Sequence, residues 1–150
     1  MYPTKILLAT DGSKESAPVL RTAVEFAVGT GSQLYLVHAI STVPQRPYPR
    51  AYERELREAI LHRTRLAALA LLDEKVSQVE EMGGTVAGSH YREGRPVEEV
   101  LRLSDELGVG LIVTGGRIFG RLERLFASSF CEDLLLRAKC PVLMVRGSKD

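Results

Sequence analysis

Four short runs of almost unbroken hydrophobic residues punctuate this chain: Lys5–Thr10 (KILLAT), Gln33–Ile40 (QLYLVHAI), Leu111–Thr114 (LIVT) and Val142–Arg146 (VLMVR). Successive side chains of a strand point to opposite faces, so a short run that is apolar at consecutive positions predicts a strand covered on both sides, as in a parallel sheet. Thr85–Tyr91 is a fifth, weaker strand. The segments between carry helix signals. Lys14–Ala27 follows Ser13, which can cap a helix start; Pro18 fits its first turn, and Gly29-Thr30-Gly31-Ser32 ends it. Tyr52–Met82 reads as one helix of roughly 31 residues, ~46 Å long at 1.5 Å per residue. That helix is charged in its first half, apolar nearly all round from Leu66 to Leu72, and stopped by Gly83-Gly84. Pro96 opens a third helix that runs to Leu107 and ends at Gly108, and Ser129–Ala138 forms a fourth. Ser41–Arg50, with Pro44, Pro47 and Pro49, is an exposed irregular loop.

Strands and helices therefore alternate from end to end. The expected fold is α/β: a three-layer sandwich with a five-stranded parallel sheet, helices on both faces and right-handed crossovers, formed by residues 1–150 as a single domain. Ligands of such folds bind beyond the carboxyl ends of the strands, where strand order reverses. Two segments fall at such ends: Ala9-Thr10-Asp11-Gly12-Ser13, and Thr114 to Ser129.

Composition narrows the function classes. The 150 residues carry 20 Lys+Arg against 19 Asp+Glu, a net charge of +1, so no global field draws the chain to nucleic acid or to an anionic membrane. The segment Arg46–Arg65 holds six arginines against three glutamates and reads as a solvated helix face with i,i+4 pairs, with little aromatic interleaving. No run approaches the ~18 apolar residues of a membrane span, and the N-terminal run is too short for a signal peptide. A cytoplasmic, soluble protein is expected. The two cysteines fit neither a zinc pair nor a redox motif; Cys131 reads as small buried packing and Cys140-Pro141 as entry to the last strand.

The candidate chemistry sits in Leu111–Ser129, LIVTGGRIFGRLERLFASS. A strand, a glycine pair, a basic loop with Arg117, Arg121 and Arg124, and two serines at an expected helix start follow the layout of a phosphate-holding turn. An ordinary loop with a serine cap and solvated arginines fits the same spacing. Ile118 and Ser128 stand where a tight cradle would use glycine. Asp11 has two readings: a carboxylate that accepts bonds from ribose hydroxyls or holds a metal with a phosphate, or an Asx-turn residue supporting Gly12. His38 reads as a packed histidine, while His62 and His90 stand alone. No catalytic triad or carboxylate pair can be assembled, so no catalytic residue is assigned. If VLMVR is a sheet edge, its open backbone invites antiparallel pairing with a second copy, unless a loop or tail covers it.

KILLATDGS, LVHAI, EGRPVEEVL, LIVTGGR followed by ASSFCEDLL, and AKCPVLMVR occur in an order that resembles the universal stress protein family across nearly the whole chain. The resemblance implies an adenine nucleotide alpha hydrolase-like sheet of order 3-2-1-4-5, a homodimer joined through Val142–Arg146, contacts with further protein partners, and a cytoplasmic role in stress tolerance. One branch of that family binds ATP through Gly-x2-Gly-x9-Gly-[Ser/Thr]. On this chain those positions are Gly115, Ile118, Ser128 and Ser129, so two of the four are kept. The resemblance places cofactor-binding residues at Ala9, Thr10, Asp11, Ala39, Thr114, Gly115, Gly116, Arg117, Ser128, Ser129 and Phe130, with Asp11 on the ribose side and Ala39 on the adenine side. A β-branched Ile118 would be strained at positive φ and adds bulk, whereas Ser128 keeps its N–H; Gly120 could substitute if the loop shifted register. The expected function is a non-enzymatic dimeric stress protein with an altered nucleotide pocket. The alternative is an ATP- or AMP-binding sensor with slow hydrolysis at most, Mg²⁺ entering only with ATP. A flavodoxin-like redox or phosphotransfer domain lacks its flavin-type loop and acidic cluster here.

Overall fold

The computed structural model describes residues 4–10, 17–41, 53–116 and 123–146. Strand β1 (Lys5–Ala9) is followed by helix α1 (Ala17–Thr30), strand β2 (Gln33–Ser41) and helix α2 (Glu53–Glu81). Strand β3 (Val86–Gly94), helix α3 (Pro96–Leu107), strand β4 (Leu111–Gly116), helix α4 (Glu123–Arg137) and strand β5 (Val142–Arg146) complete the order. All neighbouring strands are parallel, and the sheet runs β3-β2-β1-β4-β5. This is the α/β sandwich and strand order expected.

The apolar runs behave as their pattern requires. In β1, Ile6 and Leu8 face a core built with Val19, Leu20 and Ala23 of α1 and Leu72 and Val79 of α2. Leu7 and Ala9 face the opposite core, with Val100 and Leu103 of α3 and Leu134 of α4. The sheet therefore separates two cores, and a helix pair covers each. At the amino end of the sheet the Lys5 ammonium donates to the Leu107 carbonyl at 2.9 Å, satisfying a group left open by the end of α3. Gly108 closes that helix at φ 69°, letting the Val109 N–H reach back to Ser104 O at 3.0 Å. Among the described residues no helix is long and apolar enough to cross a membrane.

Several boundaries differ from the sequence reading, each for a physical reason. β3 does not stop at Tyr91. Its charged end is held by the ladder to β2, where Arg92 pairs Ala39, Glu93 pairs Ile40 and Gly94 pairs Ser41. β4 likewise runs two residues past Thr114 because Gly115 and Gly116 pair Val145 and Arg146. α1 continues through Gly29 to Thr30, whose hydroxyl donates to Phe26 O at 2.6 Å; its expected cap, Ser13, lies outside the described residues. α4 begins at Glu123, six residues before Ser129, because Glu-Arg-Leu-Phe-Ala is a run without a helix breaker. α2 is a single 29-residue helix as expected, and Arg54 to Ile60 in its first turns are exposed on every side.

Gly84 sits where α2 and α1 close on the start of β3. A Cβ there would stand 2.9 Å from Val79 Cγ1 and 3.1 Å from Val24 Cγ1. Gly84→Ala should destabilise the fold by about 1–3 kcal/mol. Combined with Val79→Ala it should cost less than the sum of the two, because the second change removes the obstructing methyl. Chemical denaturation of the two single variants and the double variant checks this; strict additivity would refute the collision.

Candidate functional site

In this strand order the sheet's direction of growth reverses between β1 and β4, and α/β folds bind ligands beyond the carboxyl ends of strands at such a point. The ladder sets Ala9 beside Thr114 and Ala9 beside Val37. Ala9 is buried on the α3/α4 side, and Ala39 and Phe130 pack against the same cluster. Thr114 is 2% exposed. Two methyl side chains, a buried threonine and an α4 aromatic thus share one face at the carboxyl edge.

Thr10 follows β1 and is tied to β2 twice. Its N–H donates to Val37 O at 2.9 Å, and the His38 Nδ1–H donates to its carbonyl at 3.0 Å. Nδ1 is the donor because a carbonyl oxygen can only accept. On the other side, Gly115 lies where α1 and α4 both approach β4. A Cβ on it would stand 3.1 Å from Val19 Cγ2, and the Cys131 thiol donates to its carbonyl at 3.2 Å. Only a residue without a side chain fits that approach unaltered.

A second group of polar residues occupies the same end of the sheet on the α1/α2 side. Arg65 of α2 grips Glu93 with Nε on Oε1 and with Nη2 on Oε2 at 3.0 Å, and Tyr91 OH donates to Glu93 Oε1 at 2.8 Å. The guanidinium holds the Glu93 carboxyl below the usual carboxylate range. Burial, then the bond to Glu93, push the Tyr91 phenol up to about 12. The sequence missed this group because the charged end of β3 was read as leaving the sheet. The signal available was the alternation Ser89, Tyr91, Glu93, which puts all three on one face of an extended strand.

The sequence-assigned residues divide accordingly. The structure brings Ala9, Thr10, Ala39, Thr114, Gly115 and Phe130 to one edge, and Gly116 ends β4 beside them. Asp11, Arg117 and Ile118 lie outside the described residues. Ser128 and Ser129 are not at a helix start: they lie in the second turn of α4, where an N–H is taken by the carbonyl four residues earlier. Neither cysteine is in a disulfide; Cys131 is buried and Cys140 half-buried. His90 Nε2 is buried without a hydrogen-bond partner beside Tyr35, and burial and then the Arg92 charge lower its pKa. Among the described residues no group of three or more His, Cys, Asp or Glu side chains gathers as metal ligands would.

Comparison with known proteins agrees with this architecture. The model of the universal stress protein family matches residues 3–146. The universal stress protein YxiE of Bacillus subtilis is 30% identical over 146 residues, 95% of this chain and 98% of its own length. A solved universal stress protein in complex with cAMP superposes with a TM-score of 0.70 at 23% identity, covering 99% of this chain and 100% of its own. The universal stress protein of Archaeoglobus fulgidus in complex with dAMP does so with a TM-score of 0.65 at 24% identity, covering 96% and 98%.

The Tyr91 shift carries a pH dependence. A phenol that ionises near 10 in the unfolded chain and near 12 in the fold favours the fold while neutral. That contribution is complete below about pH 10 and is lost as pH rises towards 12. Ultraviolet titration should show one late tyrosine that disappears in Tyr91→Phe, and the variant's stability should fall less steeply above pH 10 than that of the wild type. A Tyr91→Phe variant with an unchanged titration curve would contradict the assignment.

Proposed function

The chain belongs to the universal stress protein family, and on that premise we propose that it is a cytoplasmic, dimeric stress-response protein that binds an adenosine monophosphate beyond β1 and β4 and does not turn it over. One observation carries the reading: Ala9 and Thr114 are register partners where strand order reverses, and the small side chain of Ala39 and the ring of Phe130 pack on the same face. That face suits a flat, largely apolar adenine, and Asp11, next in the chain after the anchored Thr10, is the residue for the ribose hydroxyls. The nucleotides named for the two solved relatives, cAMP and dAMP, carry one phosphate each.

The phosphate side favours a short ligand. Holding a triphosphate needs unpaired N–H groups at a helix start and glycine where the chain passes close to oxygen. Here the second motif position is Ile118, and the motif serines sit inside α4, their N–H groups committed to the helix ladder. Turnover would need a free base. Glu93 is engaged by Arg65 and Tyr91, and Glu99 accepts from Arg102 Nη1 at 2.8 and 2.9 Å. Calorimetry on nucleotide-stripped protein should give one AMP per chain, with ATP and Mg²⁺ binding no more tightly. Ile118→Gly should raise ATP affinity selectively. ATP binding tenfold tighter than AMP in the wild type would overturn the monophosphate reading, and no heat with either would remove the nucleotide altogether.

The dimer reading rests on β5, an edge strand of the sheet. Met144 is 46% exposed on it, and Leu135 and Leu136 of neighbouring α4 are 51% and 84% exposed, an apolar border along an open ladder. Antiparallel pairing of two β5 strands would cover both. Sedimentation should give a dimer for the wild type and a monomer for Met144→Pro, which removes a backbone donor on the edge facing away from β4; an unchanged dimer in that variant would move the interface elsewhere.

A further inference from the structure

We infer that His38 is a positioning residue for the nucleotide site: its imidazole, on the opposite face of the sheet from Ala9 and Ala39, fixes the carbonyl of Thr10 and so holds that site residue at the carboxyl end of β1. This rests on the nucleotide reading above. QLYLVHAI is otherwise an apolar strand core, and an imidazole in it needs a partner. The partner it takes is the Thr10 carbonyl at 3.0 Å, contacted from a residue 28 positions away in sequence.

The geometry is selective. The last β1–β2 register pair is Ala9 with Val37, so Thr10 lies past the regular ladder, at the point where the strand gives way to the segment that holds Asp11. Thr10 is gripped at both its polar backbone groups, by Val37 O at the N–H and by His38 Nδ1 at the carbonyl. Because the peptide unit is planar, fixing a carbonyl also fixes the plane that leads into the next residue. His38 and Ala39 are adjacent and point to opposite faces. One dipeptide of β2 therefore contributes the methyl floor on the ligand side and the anchor on the other. A histidine that acts this way touches no ligand atom, yet sets how Thr10 is held at the edge of the site.

Three variants separate positioning from packing. Asparagine carries its amide nitrogen close to where Nδ1 stands, glutamine carries it close to where Nε2 stands, and leucine carries none. His38→Leu should bind AMP roughly tenfold more weakly by calorimetry, about the effect of losing one well-placed hydrogen bond. His38→Gln should be equally weak, and His38→Asn should stay within roughly threefold of the wild type. If the leucine variant does not fold, the asparagine and glutamine pair carries the comparison. Melting temperatures measured in parallel without nucleotide report any purely structural role. An asparagine variant as weak as the glutamine one, or variants that lower melting temperature while binding AMP like the wild type, would overturn the inference and leave the nucleotide reading standing. A wild type that binds no AMP would remove both.

Discussion

A strand with apolar side chains on both faces has nowhere to be except inside a sheet, and its backbone must then find partners on both edges. β1 is that strand here. Ile6, Leu7 and Leu8 are buried, so the N–H and C=O groups between them cannot be left to water; β2 serves one edge and β4 the other. Everything else is arranged around this requirement. The helices that follow β1 and β2 cover one face, those that follow β3 and β4 cover the other, and the strand order reverses beside β1.

Much of this was legible because burial on both faces writes itself into composition. KILLA and LIV have no polar face and are buried, whereas VLMV, equally apolar, lies at the sheet edge with Met144 46% exposed; Pro96 and Gly108 mark the ends of α3 as their backbone chemistry dictates. The sequence was less informative where the ladder, rather than side-chain burial, decides. Arg92 and Glu93 look like loop residues, but their backbone pairing to Ala39 and Ile40 keeps them in β3, and this places Glu93 within reach of Arg65. Likewise the serines of ASSF look like caps in isolation, yet Glu123, Arg124, Leu125 and Ala127 before them are good helix formers, and the helix begins at Glu123. The role of His38 was not legible at all, since a histidine in an apolar strand looks the same whether it packs or reaches a carbonyl on the neighbouring strand.

The carboxyl edge of the sheet is built in two halves of different character. On the α3/α4 side it is made of small side chains, with alanines and a buried threonine packed with Phe130. On the α1/α2 side it is closed by charge: Arg65, Glu93 and Tyr91 join α2 to the tip of β3. The pair is partly exposed and worth little as a lone ion pair. Its value is geometric, since it ties the middle of a long helix to the end of a strand next to β2, whose own end carries His38 and Ala39. The same strands thus end in small side chains on one face and in a charged tie on the other.

The pairing of Ile6 with Leu111 also governs how the molecule comes into being. β1 leaves the ribosome first, yet one of its edges has no partner until β4 has been made; at cellular rates of synthesis that is a delay of roughly 5–20 s. Throughout that interval a flat, apolar strand carries an open edge, the kind of surface on which nascent chains stick to one another. Lys5, which in the finished fold caps α3, is at that stage a lone charge at the head of the run, and a flanking charge is what discourages such contacts. The same residue thus guards the strand before the sheet closes and fastens a helix to it afterwards.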